Sequence, residues 1–327
     1  MRTLLLRGLS CALLLAGGHA WAEDRPPEWA YPVNPPDFKF APDDGQPRQV
    51  PDSSARYSVA QTRDRFLAPD WHPGDHRPMP DIVAKGRKPD VFACGFCHRA
   101  DGPGGPENAS LAGLSADYIK QQMADFKSGL RKTSVPERGP PQLMIAVAKA
   151  ATEQEVRASA DYFAALKPRA TIKVVETDTV PKTYVAGWFL ADAKSGESEP
   201  IGHRIIEIPE DLAQFENRDA RSRFIAYVPV GSIQKGKELV AKGVGGGGTQ
   251  CAGCHGPTLA GVGAIPAIAG RSPSYAVRQL YDFKSGARAG SASELMKPVV
   301  EKMTPEDMVA LAAYAASLPP DGAAASK

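Results

Sequence analysis

Two five-residue motifs could do chemistry: Cys94-Gly-Phe-Cys97-His98 and Cys251-Ala-Gly-Cys254-His255. On one helical turn, positions i, i+3 and i+4 share a face. Each motif therefore presents two thiols and an imidazole on one side. Thiols at that spacing can form thioethers to the two vinyl groups along one haem edge, and the adjacent imidazole can reach the iron. Other chemistries use the same residue types. A lone C-x-x-C serves as a redox dithiol, but that needs a βαβ setting, which neither copy has. Four thiolates could hold zinc, and four exported cysteines could form two disulfides. A His at the same place in both copies, inside a repeated frame, favours two covalently bound haem c groups.

The frame extends well beyond the motifs. Cys94 and Cys251 are 157 positions apart, and at that offset Tyr118, Gln122, Phe126, Lys127 and Gly129 match Tyr275, Gln279, Phe283, Lys284 and Gly286. Further on, Leu143-Met144 matches Leu295-Met296, and Tyr162 matches Tyr314, at an offset of 152. The second copy thus has a loop five residues shorter. Two homologous units of about ninety residues each account for the repetition.

The elements that must position the motifs read as helices. Ser115 and Ser272 are N-caps, with Pro273 at a first helical position. Ile119, Met123, Phe126 and Leu130 recur at helical spacing, and Gly129 and Gly286 can close those helices. Thr152 to Glu155 forms a capping box, with a counterpart beginning Thr304-Pro305. Ile233 through Ala241 predicts a helix leading into the second motif, and Ile82 to Arg87 a shorter equivalent. Met123, Met303 and Met308 read as core. Met144 and Met296 read as sixth ligands, each eight residues before the capping Thr of a last helix. Both are expected on a segment folding back over the opposite haem face. A thioether there raises the reduction potential and closes the iron to substrate.

Composition narrows the class. With 43% hydrophobic and 23% charged residues in a 327-residue chain, a disordered or fibrous protein is excluded, and the length suggests two domains. Residues 1–22 read as a secretory signal. Arg2 and Arg7 precede an apolar run from Leu9 to Ala16, and Ala20-Trp21-Ala22 supplies the cleavage pattern. Removal takes two of 39 basic residues and none of 37 acidic ones, leaving 37 against 37. No basic excess remains for nucleic acid. Cys11 falls inside the leader. The expectation is a periplasmic protein, cleaved near Ala22, with no integral membrane segment afterwards.

Two stretches lie outside the repeats. Residues 24–80 hold 12 of the 30 Pro and seven of the 24 aromatics, too aromatic for a freely solvated arm. They are expected to lie extended across the two units. Within them, Asp70-Trp-His-Pro-Gly-Asp-His76 reads as a packed or surface turn, with His72 and His76 as a weaker metal or haem-ligand alternative. Residues 171–230 predict short strands at Thr171–Glu176, Tyr184–Leu190, His203–Ile208 and Arg223–Val228, with a turn at Lys194–Pro200. Gly245 to Gly248 is a surface connection, since no Gly-Lys-Ser/Thr follows it.

Together these features resemble dihaem class I cytochromes c of the cytochrome c4 type. The resemblance covers roughly 81–170 and 231–320. It implies a mainly α protein of two tandem haem domains, here with a Pro-rich extension (23–80), a small β insert (171–230) and a tail (321–327). It implies single-electron transfer, with His98 and His255 as proximal ligands, thioethers at Cys94, Cys97, Cys251 and Cys254, and Met144 and Met296 as distal ligands. It also implies a Pro carbonyl on each proximal ring. Pro266 fits, while Ala109 stands at the first site. The expected partners are periplasmic redox proteins, a dehydrogenase or an oxidase, with peripheral association with a respiratory complex as a variant. Catalysis is not expected of the chain. A peroxidase or sulfur-compound oxidoreductase would need an open iron or a His such as His72, His76 or His203 as ligand. A cytochrome subunit of a dehydrogenase complex is the other alternative.

Overall fold

The computed structural model describes residues 25–320, so the predicted leader and the tail lie outside the described residues. After α1 (Val59–Arg63), the first repeat unit is built from α2 (Asp81–Ala84), α3 (Cys94–His98), α4 (Ala116–Ser128), α5 (Gly139–Ala150) and α6 (Glu153–Ala164). The predicted caps set these limits. Ser115 Oγ accepts from Tyr118 N–H, and Gly129 at φ +76° ends α4 in the left-handed conformation. Thr152 and Glu155 form the reciprocal box of α6. Ile119, Gln122 and Asp125 turn inward at three-residue spacing. Tyr162 and Phe163 are fully buried, and a buried Phe contributes about 1.5–3 kcal/mol.

Seven strands follow: β1 (Ile172–Glu176), β2 (Thr179–Pro181), β3 (Thr183–Ala186), β4 (Phe189–Asp192), β5 (Ser198–Pro200), β6 (Ile206–Pro209) and, after α7 (Leu212–Glu216), β7 (Phe224–Val228). β7 is central in a three-stranded sheet, parallel to β1 and antiparallel to β6. β2 pairs with β5, and β3 with β4, as separate ribbons. The first and last strands each begin one residue after the predicted start, at Ile172 and Phe224. Tyr184–Leu190 is not one strand: Gly187 and Trp188, both at positive φ, fold it into the β3–β4 hairpin. Residues 198–200, predicted as turn, pair instead with β2, and the strand predicted from His203 begins at Ile206. Phe215 stacks edge-on against Phe189 and Phe224, with ring centroids 4.8 and 5.0 Å away, beneath these ribbons.

The second repeat unit comprises α8 (Ser232–Lys242), α9 (Cys251–His255), α10 (Pro273–Lys284), α11 (Lys297–Val300) and α12 (Pro305–Ser317). Ser272 caps α10, and Thr304 with Asp307 boxes α12. Helix α12 is buried nearly all round. It crosses α8 at Gly236, where a Cβ would come 2.0 Å from Ala310 O. Only a glycine permits that approach.

Residues 25–80 run across both units. Ala30 and Tyr31 enter the core of the second, where Tyr31 OH donates to Asp282 Oδ1 at 2.8 Å. Trp71 Nε1 donates to Asn217 O, and Arg218 Nε to Thr62 O. The fold is mainly α: two helical repeat units with a strand-bearing segment between them. Among the described residues no helix is long and apolar enough to cross a membrane.

Candidate functional site

Each motif occupies one helical turn. Arg99 (φ +67°) and Gly256 (φ +82°) reverse the chain directly after the His. The next loops repeat the same bonds at the same offset. His98 O accepts from Gly104 N, and His255 O from Gly261 N. His98 Nδ1 lies 2.8 Å from Ala109 O, and His255 Nδ1 lies 2.8 Å from Pro266 O. A carbonyl only accepts, so the proton is on Nδ1 and the Nε2 lone pair is free. The replacement of Pro by Ala at 109 leaves this bond intact, because a backbone oxygen makes it. Burial pushes the His98 imidazole down to about 4 and lowers His255 in the same direction, which keeps both rings neutral.

The thiols are unpaired with one another. Burial pushes Cys94 up to about 12 and raises Cys97 and Cys251. Such surroundings suit neutral sulfur, a thioether rather than a zinc thiolate. Among the described residues no group of three or more His, Cys, Asp or Glu could hold a metal ion, so the two pairs do not combine into a zinc site.

Both motifs open on one continuous cavity of about 950 Å³, with Met144 and Met296 in its wall. Met144 lies in the second turn of α5, and Met296 at the junction of a 3-10 turn (Ser291–Leu295) with α11. Both segments are helical. Val147, Leu280, Val299 and Leu311 supply apolar wall. Met303 and Met308 are core, as predicted, 1% and 3% exposed. Buried imidazoles with free Nε2, neutral sulfur and a large cavity between them fit a covalent haem at each motif.

Other candidates do not join this site. His72 Nε2 stands 3.1 Å from Asp219 Oδ1, outside hydrogen-bonding alignment, while His76 Nε2 meets Asp70 Oδ1 at 3.2 Å. The two rings face different carboxylates in a packed turn. His203 is exposed in a turn. Gly245 to Gly248 forms a short turn ahead of α9.

What sequence reasoning missed is the cavity's arginines. Arg131, Arg138, Arg278 and Arg288 are each 8% exposed or less and line it. Arg131 and Arg288 stood in matching positions of the repeats, a signal that was available. Near Cys97, Arg218 stacks 3.6 Å over Phe96, and burial holds its guanidinium down to about 10.

A profile of the family described as Cytochrome c matches residues 233–319. The chain is 26% identical to the thiosulfate dehydrogenase electron acceptor of Stutzerimonas stutzeri, across 71% of this chain and 82% of that protein. It is 25% identical to cytochrome c4 of Azotobacter vinelandii, across 68% and 82%. It is 32% identical to cytochrome c-554(548) of Halomonas halodenitrificans, across 20% and 82%. With the repeated motifs and their buried imidazoles, these likenesses lead to one conclusion: the chain belongs to the cytochrome c family, as a dihaem class I member akin to cytochrome c4, and carries two covalently bound haem c groups.

Proposed function

We propose that the protein is an exported, periplasmic electron carrier whose two haems are each six-coordinate with His and Met. In this reading Cys94 and Cys97 bind one haem and Cys251 and Cys254 the other. His98 and His255 are the proximal ligands, and Met144 and Met296 the distal ones. The observation that carries it is the pair of 2.8 Å bonds from His98 Nδ1 and His255 Nδ1, 157 positions apart, on rings that share a cavity with the two Met. Such bonds orient a ring and make its Nε2 a better ligand. The haems supply one-electron redox chemistry. The chain's own residues hold them, shield them from water and, through the thioethers, raise their potentials. The buried arginines that line the cavity would supply positive charge to the haem carboxylates.

The reading extends to the partner. Similarity to a thiosulfate dehydrogenase electron acceptor supports a sulfur-compound dehydrogenase as donor. It also favours transient or subunit-like docking over independent catalysis.

The test is a visible titration of the haem-loaded protein with and without carbon monoxide. Two low-spin haems per chain, with no carbon monoxide binding when reduced, are expected. A carbon monoxide-reactive haem in the parent protein overturns Met ligation at that iron. Thiosulfate with a thiosulfate dehydrogenase should reduce the protein, and thiosulfate alone should not. Reduction or turnover by thiosulfate alone would make the chain an enzyme.

A further inference from the structure

The turn between β3 and β4 consists of Gly187 at φ +63° and Trp188 at φ +79°. Two-residue hairpin turns of this hand take Gly or Asn at such positions, because a Cβ crowds the neighbouring carbonyl there. An indole at the second position is strained. The strain is held from both sides. Trp188 N–H donates to Asn34 Oδ1 at 3.0 Å, and Trp188 O accepts from Arg138 Nη2 at 3.0 Å. Arg138, 1% exposed, also donates through Nη1 to Pro32 O at 2.6 Å. Two segments distant in sequence, around Asn34 and Arg138, thus converge on Trp188.

The indole lies against the start of α5. A Cβ on Gly139, the first residue of that helix, would stand 2.7 Å from Trp188 Cζ2 and 3.0 Å from Cε2. Phe40 backs the turn, since a Cβ on Gly187 would be 3.3 Å from its Cε1. Arg138 is the N-cap of α5 but makes no side-chain cap bond. Its guanidinium is given to the hairpin and the extension instead. Met144 stands five residues into the same rigid helix, and Trp188 lines the cavity that Met144 enters. The second unit reaches its Met differently. There the turn Ser291–Leu295 leads straight to Met296, with Leu295 67% exposed.

We infer that Trp188 is a positioning residue for the first haem. The strained hairpin, fastened by Asn34 and Arg138, wedges the first turn of α5 and sets where the Met144 sulfur stands. This rests on the proposed ligation by Met144. A thioether is a weak ligand for ferric iron, so its exchange rate reports small losses of support from the surrounding shell. The repeated units would then hold unlike haems, and the difference would come from chain outside the repeats.

The test uses the haem-loaded full chain and cyanide, which replaces a thioether on ferric iron. Trp188→Gly removes the indole and relieves the positive φ, so the hairpin itself is kept. It should speed cyanide binding about tenfold at one haem of the two, the scale of one lost packing contact. The far-red thioether-to-iron absorption should weaken for that haem alone, and its potential should fall. Trp188→Phe should restore part of the effect. Asn34→Ala, which removes only the bond to the Trp188 N–H, should shift the same haem less and serves if the glycine variant fails to fold. Met144→Ala is the reference. If it opens one haem while Trp188→Gly and Asn34→Ala leave both exchange rates at parent values, the positioning role is wrong and the ligation stands. Equal acceleration at both haems also overturns it. If Met144→Ala changes neither haem, the ligation reading fails first.

Discussion

Arg131 and Arg288 meet across an antiparallel backbone bridge, and each guanidinium bonds side chains of both repeats. Arg131 donates to Gln122 Oε1 in its own unit, and to Tyr275 OH and Gln279 Oε1 in the other. Arg288 returns the pattern, to Gln279 Oε1 in its own unit and to Tyr118 OH and Gln122 Oε1 across the joint. Each Gln carbonyl accepts from both arginines. The repeat is thus a pseudo-twofold joint in space as well as in sequence. Single and double replacements of Arg131 and Arg288 by Ala should be non-additive in denaturant unfolding. A coupling energy of at least about 0.5 kcal/mol is expected. Additive losses would mean that the two side chains act separately.

Ala109→Pro should be tolerated. The chain has Pro266 at the equivalent place, and the group that holds His98 is the carbonyl of residue 109, which the change preserves. Stability should move by less than about 1 kcal/mol, with the haem spectrum unchanged. A broadened or high-spin spectrum would show that the first loop cannot adopt the proline geometry.

The Asp70–His76 pair should stabilise the protein in acid. Asp70 Oδ1, and after it the Arg77 carbonyl, hold the His76 ring above its ordinary value against burial. The Tyr162 hydroxyl and the Asp101 charge also face it. A raised folded value means that the contribution is complete below the unfolded value of about 6.5 and is lost as pH rises through the folded one. The stability gap between parent and Asp70→Asn should therefore be wider at about pH 5.5 than at about pH 8. A gap that is flat or widens with pH would contradict this.

Glu207 joins β6 to α10. Its Oε2 accepts from Ser272 Oγ, Ser274 Oγ and Ser274 N–H at the helix N-terminus, and the carboxyl is 2% exposed. Glu207→Ala strands those donors and should cost about 1–3 kcal/mol. Glu207→Gln keeps an acceptor there and should cost less than half as much. Equal losses would assign the effect to charge rather than to bonding.

Helix starts were legible because their signals are local. Ser115, Thr152, Ser272 and Thr304 each cap the helix predicted from them. The motifs and their repeat were legible because offsets survive in sequence. The hairpin was not, since Gly187-Trp188 lacks the second Gly or Asn that marks such turns and reads as one continuous apolar run. The β2–β5 pairing was hidden because three-residue strands are chosen by their partners rather than by propensity. The Arg131–Arg288 exchange was visible only as matched letters, because the partners of a buried guanidinium are set by tertiary contact.

Tyr31 also bears on how the chain is completed. Its hydroxyl bonds Asp282, 251 positions away, and its ring sits in the core around Val277 and Val309. Closing so long a loop is cheap at equilibrium, since each doubling of length adds only about 0.6 kcal/mol. It is costly in time, because contacts this distant in sequence slow the search. A chain that emerges N-terminus first makes this segment early and its seat last. The second core therefore finishes only when the two ends of the chain have found each other.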